Sequence, residues 1–500
     1  STALAVSSLL ILAALCCFGA GIGIFSTSSQ ADAHVLDYTF EDNNTEDPEQ
    51  VLPGIQAALR ESGLEDQFSD PDAITDVLSA RSLLASAYEG LPQHLFEYSV
   101  LSDDFCPTQH LDRDATLKNL YDWREVEMTD LAGTLWTEYY MVVAEVNALL
   151  ARMNGVITLN DAEAEEKERI ICEAKGLKAW CYFDLLRLFA PRYEGNESKD
   201  GIILKDRVEL DFLPRSSMKA CVEEIRKLLK EARNEKNAMK NVHWLSDKSI
   251  AYLQVELELY VGNYSAVLEQ TENLESEYPA TVLGSGAYGA LWSGNGSEAR
   301  IFAKYQLSQI YEGIRFETFD KGDYLVLTDE VLFEDGDIRK EWSEVEFVMP
   351  DAREVRLLGK YNKMNRDEIA SKYVNMARAA GMWLMRAEAL ARSDRSGDAV
   401  NLMNRMMEQR GATAWNTGLS GNELINKILE ERKKEFVGEG VRFFDMKRCA
   451  IPAKRYSVYG KQVSTTIKPD DYRWTLPIPA SEYRYNTLVK QNEGWPVLAV

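Results

Sequence analysis

Histidine is scarce in this chain. Its 500 residues hold four: His34, His94, His110 and His243. No two stand at i, i+4, so a helical H-E-x-x-H zinc site is excluded. The seven cysteines (Cys16, Cys17, Cys106, Cys172, Cys181, Cys221 and Cys449) form no C-x-x-C pair, so zinc-finger spacing is missing too. The five beyond residue 17 are scattered and odd in number, which predicts single buried thiols instead of a disulfide framework. There is no G-x-x-x-x-G-K loop, no G-x-S-x-G elbow and no G-x-G-x-x-G after a strand. Positive charge is short as well. Against 80 acidic residues stand 56 Lys and Arg, a net charge of −24, the wrong sign for a surface that neutralises nucleic-acid phosphates.

Long apolar runs are equally rare. Only 3–25 runs for 23 residues without a charge, and it contains Cys16 and Cys17. A secretory h-region, a lipoprotein signal or a membrane anchor each has this character. Residues 1–29 are therefore read as a signal or lipid-anchor region. Residues 30–53, with "EDNNTEDPEQ", are read as an acidic tether. Acid pairs abound among 80 carboxylates, so counting does not single out a glycosidase dyad, and most read as solvated surface charge. The motif set predicts no enzyme and no metal centre. One local cluster, Glu334, Asp335 and Asp337, has ligands for a hard cation such as calcium but is too short for an EF-hand.

What is plentiful is core material. Hydrophobic residues make up 45% of the chain and aromatics 10%, including 10 Trp and 23 Tyr. In "ERIICEAKGLKAWCYFDLLRLFA", Ile170, Ala174, Leu177, Cys181, Leu185 and Leu188 recur at steps of three and four, one face of a helix that Pro191 ends. The same period runs through Ile250, Leu253, Leu257 and Tyr260, and through Tyr373, Ala377, Ala380, Leu384, Ala387 and Ala391. Both of these segments run into Gly-bearing turns and a second helix, "LYVGNYSAVLEQ" and "LARSDRSGDAVNLMNR", the pattern of tetratricopeptide-like hairpins. Such hairpins bury their apolar faces only by stacking. A mostly α fold follows: helical hairpins, four in number, carrying a loop-rich half, with 54–500 as one domain. The insert at about 276–370 reads as loops and short strands, starting with five glycines between 283 and 297.

Two stretches mix aromatic rings with planar polar groups, the combination that grips sugar faces and hydroxyls. The first, 103–123, offers Asp104, Arg113, Asn119, Tyr121 and Trp123. The second, in the insert, offers Trp292, Tyr305, Tyr311, Phe316 and Tyr324. A ligand is expected between them, with Trp123 and Tyr311 as stacking platforms.

The C-terminal "ILEERKKEFVGEGVRFFDMKR", followed by "LPIPASEYRYNTLVKQNEGW", resembles the signature of the SusD/RagB family of outer-membrane lipoproteins. "EAKGLKAWCYFDLLRLFAP", "LWTEYYMVVAEVNALL" and "LMRAEALARSDRSGDAVNLMNRMMEQRG" resemble upstream family blocks, in the right order over roughly 75–495. The resemblance implies a lipid on Cys16 or Cys17 and a place at the outer-membrane surface. It also implies a role as a hinged lid over a SusC-like TonB-dependent transporter, capturing an oligosaccharide or, in RagA/RagB-type importers, an oligopeptide. Within the signature, Glu431, Glu435, Arg442 and Arg448 read as paired charges, and Phe443, Phe444 and Met446 as packing against the loop-rich half. Pairs of this kind make a structural joint rather than a catalytic site.

Overall fold

The structure, a computed structural model, describes residues 74–207, 212–239, 241–293, 296–305, 324–349, 352–361 and 373–498. Eight helices form the scaffold in four packed pairs. They are α1 (Val77–Gly90) on α2 (Glu125–Arg152), α3 (Asp161–Phe189) on α4 (Met218–Ala232), α5 (Asp247–Val261) on α6 (Tyr264–Gln270), and α7 (Ala379–Arg392) on α8 (Ser396–Arg410). Successive pairs touch through α2 and α3, α4 and α5, and α6 and α7, so the hairpins stack in chain order. This is the tetratricopeptide-like scaffold that the periodicity predicts, except that Tyr373 and Ala377, read from their spacing as the start of α7, lie on a strand (Tyr373–Arg378) and the helix begins at Ala379.

Short polar side chains start these helices by satisfying N–H groups that lack helical partners. Asp76 accepts from the Ser79 amide at 2.7 Å before α1, Asn160 from the Glu163 amide before α3, and Ser217 from the Ala220 amide before α4. Gly262 and Gly411, both left-handed, end α5 and α8. No helix among the described residues is long and apolar enough to cross a membrane. The five cysteines from Cys106 onward are free thiols, and all but Cys449 are buried.

Outside the scaffold the described residues form four antiparallel ribbons: β1 (Phe105–Pro107) with β3 (Leu325–Leu327), β2 (Arg300–Tyr305) with β6 (Tyr373–Arg378), β4 (Glu344–Val348) with β5 (Glu354–Leu358), and β7 (Ala453–Tyr456) with β8 (Val463–Ile467). One apolar cluster runs from Ile74 to Trp495 through both halves. A small second cluster, Cys106, Val326, Val345, Leu357 and Tyr456, joins three of the ribbons.

The halves meet at α9 (Gly421–Glu435) and α10 (Val441–Arg448), the stretch with the mixed charges. Glu435 is fully buried and accepts from Arg339 at 3.1 Å, from Arg410 at 2.6 Å and from Arg378. Burial alone would raise its carboxyl pKa, but Arg410, Arg378 and Arg339 hold it far below the usual carboxylate range. Glu439 binds Lys360 at 2.7 Å and Arg378 at 2.9 Å, and Arg448 clasps Glu388 at 2.7 and 2.8 Å. Between α9 and α10 the chain turns on Gly438 and Gly440, with φ of +73° and +74°. A Cβ on Gly440 would sit 3.2 Å from the Leu95 backbone, so close packing as well as conformation demands glycine there.

Charges and rings both contribute to this joint. Glu435 and Glu439 reach the insert through Arg339 and Lys360, while Phe443 packs on Tyr98, Trp123 and Trp474, at centroid distances of 6.2, 6.0 and 5.6 Å, and Phe444 lies under Arg187.

Candidate functional site

The β1–β3 ribbon brings the two ring-rich stretches together. Phe105, Cys106 and Pro107 pair with Leu327, Val326 and Leu325. Beyond the ribbon, the Thr108 amide and hydroxyl both donate to the Tyr324 carbonyl, at 2.9 and 3.2 Å. Residues 108–113 then leave the ribbon as a short loop ending in a 3-10 turn (Leu111–Arg113). Gln109, Asp112 and Arg113 are exposed there, and His110 and Tyr324 are half-buried. The turn Val458–Gly460 of the β7–β8 hairpin lies against β1 and carries Tyr459, with the Arg353 guanidinium 4.4 Å over its ring. The result is an open rim of planar amide, guanidinium and carboxylate groups with phenol rings nearby. It can hydrogen-bond and stack on a flexible polar ligand.

The residues proposed from sequence divide in position. Trp123 is not an exposed platform. It is fully buried, its indole N–H donates to the Leu101 carbonyl at 3.0 Å, and its ring meets Trp474 edge-on at 4.7 Å. Tyr121 is likewise core, its hydroxyl accepting from the Tyr456 amide at 2.9 Å with Arg455 stacked 4.5 Å over its ring. Asp104 is fully buried and accepts from the Gly438 amide at 3.2 Å. Burial and neighbouring Asp103 push its carboxyl up to about 6. These three therefore build the floor under the rim. Trp292 is also core, 1% exposed.

Arg113 is on the rim, and Asn119, half-buried, is held by Glu127 at 2.7 Å. Tyr305 stands on another ribbon, edge-on to His243 at 5.3 Å. Tyr311 and Phe316 lie outside the described residues, as do Cys16, Cys17 and the tether. The sequence reading missed Thr108 and Tyr459. The only signal for the latter was a Tyr-Gly turn between strand-like runs.

A cavity of about 80 Å³ among Tyr98, Tyr139, Asp184, Arg187, Arg432 and Asp445 has room for a few waters, whereas ligand pockets start near roughly 300 Å³. No group of three or more His, Cys, Asp or Glu side chains suited to a metal occurs among the described residues.

A stacked helical-hairpin scaffold bearing a ribbon-rich half is a SusD-like fold. The family comparisons agree. A model described as "SusD family" matches residues 265–495, and one described as "Starch-binding associating with outer membrane" matches 65–252. Between them they cover most of the sequence, and the chain belongs to the SusD/RagB family. It is 21% identical over 465 residues to a SusD-like protein of Formosa agariphila, covering 80% of this chain and 88% of that one. A SusD superfamily protein from Bacteroides vulgatus superposes with a TM-score of 0.71 at 20% identity, over 84% of this chain and all of the other. A second structure from the same species, a SusD-like carbohydrate-binding protein, gives 0.67 at 17% identity over 83% of this chain and 97% of the other. At such identities the structural matches establish the fold.

Proposed function

We propose that this chain is a cell-surface glycan-binding subunit that captures an oligosaccharide at the rim formed by 108–113, Tyr324 and Tyr459. It delivers the ligand to a SusC-like TonB-dependent transporter, held at the outer membrane by a lipid on Cys16 or Cys17. One observation carries the reading: the family model described as starch-binding and associated with the outer membrane spans the whole 108–113 segment, where the structure presents its exposed polar groups. Neutral sugars suit such a surface because rings stack on their C–H faces while amide, carboxylate and guanidinium groups meet their hydroxyls. The role needs binding without turnover.

The test is a glycan array run beside a library of basic peptides, each at low and high salt. Oligosaccharide capture that barely responds to salt supports the reading. Capture of basic peptides alone, weakening as ionic strength rises, replaces it with the oligopeptide-binding lid of a RagA/RagB-type importer; the charge of −24 suits such cargo. Purification from detergent-solubilised outer membrane together with a barrel protein would support the transporter partnership, and recovery only as a free protein would contradict it.

A further inference from the structure

A second cleft lies on the helical side, lined by the end of α1 (Glu89) and the turn after it (Pro92, Gln93, His94), by one face of α2, and by Lys304 at the end of β2. The α2 residues are Glu138, Met141, Val142 and Glu145, spaced i, i+3, i+4 and i+7, so two carboxylates flank two apolar side chains on one stripe. The cleft is open to solvent and measures about 400 Å³, within the range of small-molecule sites.

Its cations are already engaged. Lys304 donates to the Leu91 carbonyl, and burial brings its ammonium pKa down to about 8. His94 binds Glu138 at 2.7 Å and lies 3.5 Å from Glu97; burial opposes its charge, but those two carboxylates lift it to about 9. Glu145 differs from the other carboxylates here. It is only 9% exposed, Ser86 reaches its Oε1 at a long 3.4 Å, and its Oε2 is buried with no protein partner. The groups facing it are Ser86 and Glu89 from the α1 side and the Cys181 thiol from α3, and none is a cation. A buried acceptor without a donor costs on the order of 1–3 kcal/mol, which a bound donor recovers.

We propose that this cleft binds a small ligand bearing a primary ammonium group, with the Glu145 carboxyl as its acceptor and the Met141–Val142 stripe against its apolar part. The class follows from charge. Among the described residues no cation stands beside Glu145, and an ammonium supplies both a donor and the positive charge that lets this carboxyl give up its proton. Burial raises the Glu145 carboxyl to about 8, so the empty site holds a proton at neutral pH. Binding an ammonium converts that acid to the carboxylate and releases its proton to the buffer. An amino sugar and a peptide amino terminus share this chemistry. The inference stands apart from the rim and survives or fails independently of it.

The test is isothermal titration calorimetry on the wild-type chain at about pH 6.5, where carboxyl and amine both hold their protons. The probes are glucosamine, N-acetylglucosamine, glucose and an alanyl-alanine amide, in buffers of different ionisation enthalpy. The proposal expects glucosamine or the dipeptide amide to bind with about one proton released, with whichever binds identifying the source, and no binding of glucose or N-acetylglucosamine at matched concentration. Glu145→Gln should weaken amine binding at least tenfold and abolish proton release, while Glu408→Gln on the exposed face of α8 leaves both unchanged. Equal binding of glucosamine and N-acetylglucosamine, amine binding without proton release, or no amine binding at all would each overturn it.

Discussion

Replacing Glu435 by Gln keeps the side chain's shape and removes the one charge shared by three buried guanidiniums. Arg339 retains Asp337 and Glu431, and Arg378 retains Glu439, but Arg410 keeps only the Leu283 carbonyl and the Tyr288 ring. The substitution thus leaves Arg410, 1% exposed, as a nearly unpaired buried cation. Breaking such a pair from one side costs about 3–5 kcal/mol. A folded body spanning 74–498 has an unfolding entropy of roughly 0.9 kcal/mol/K at about 2.1 cal/mol/K per residue, so Tm should fall by about 3–6 °C. Because the Glu435 pKa is depressed in the folded state, its contribution is complete above the unfolded carboxylate value near 4.3. It is lost as pH falls towards the folded value. The Tm gap between wild type and variant should therefore be level from about pH 5 to 8 and narrow in stronger acid. Adding Arg410→Met should restore part of the loss, since it removes the cation left stranded. Scanning calorimetry of wild type, Glu435→Gln, Arg410→Met and the double variant over this pH range decides the matter. A fall below about 1 °C, or strict additivity of the two substitutions, would refute the reasoning.

Trp123→Ala should lower stability by about 3–5 kcal/mol in chemical denaturation while leaving ligand affinity of the folded protein unchanged, because the ring is core and not platform. Glu145 should make the protein less stable as pH rises. Its carboxyl pKa is raised when folded, so the native state holds the extra proton, and stability should decline by a few kcal/mol between about pH 4.5 and 8. Glu145→Gln should remove that slope, as urea midpoints across this range would show. Gly440→Ala should destabilise by about 1–3 kcal/mol, from its positive φ and the Leu95 backbone beside it, and an unchanged urea midpoint would contradict this.

The helical pairs were legible because burying one helix face imposes a period that survives in sequence, as in the stripe from Ile170 to Leu188 on α3. The joint was half legible. Glu435 and Arg448 could be recognised as paired charges, but their partners, Arg410 and Arg378 for one and Glu388 for the other, lie in segments that pattern alone does not bring together. The rim was located through its two ring-rich stretches, and the β1–β3 register explains why they meet. Its residues were harder to choose. Trp123 and Arg113 occur in one aromatic and polar stretch, and only the fold separates floor from surface. The α2 cleft was legible in principle, since Glu138 and Glu145 sit on one stripe with Met141 and Val142, yet two acids among 80 carboxylates draw no notice until one is seen without a partner.

The central claim is that the rim holds a glycan. It is tested most directly by measuring, with calorimetry, the affinity of Arg113→Ala and Tyr324→Ala for the oligosaccharide that wild type binds best, with Tm recorded for each. The account predicts a loss of about 1–3 kcal/mol in at least one variant, a 5- to 150-fold weakening, with Tm within about 1 °C of wild type. Wild-type affinity in both variants would contradict it.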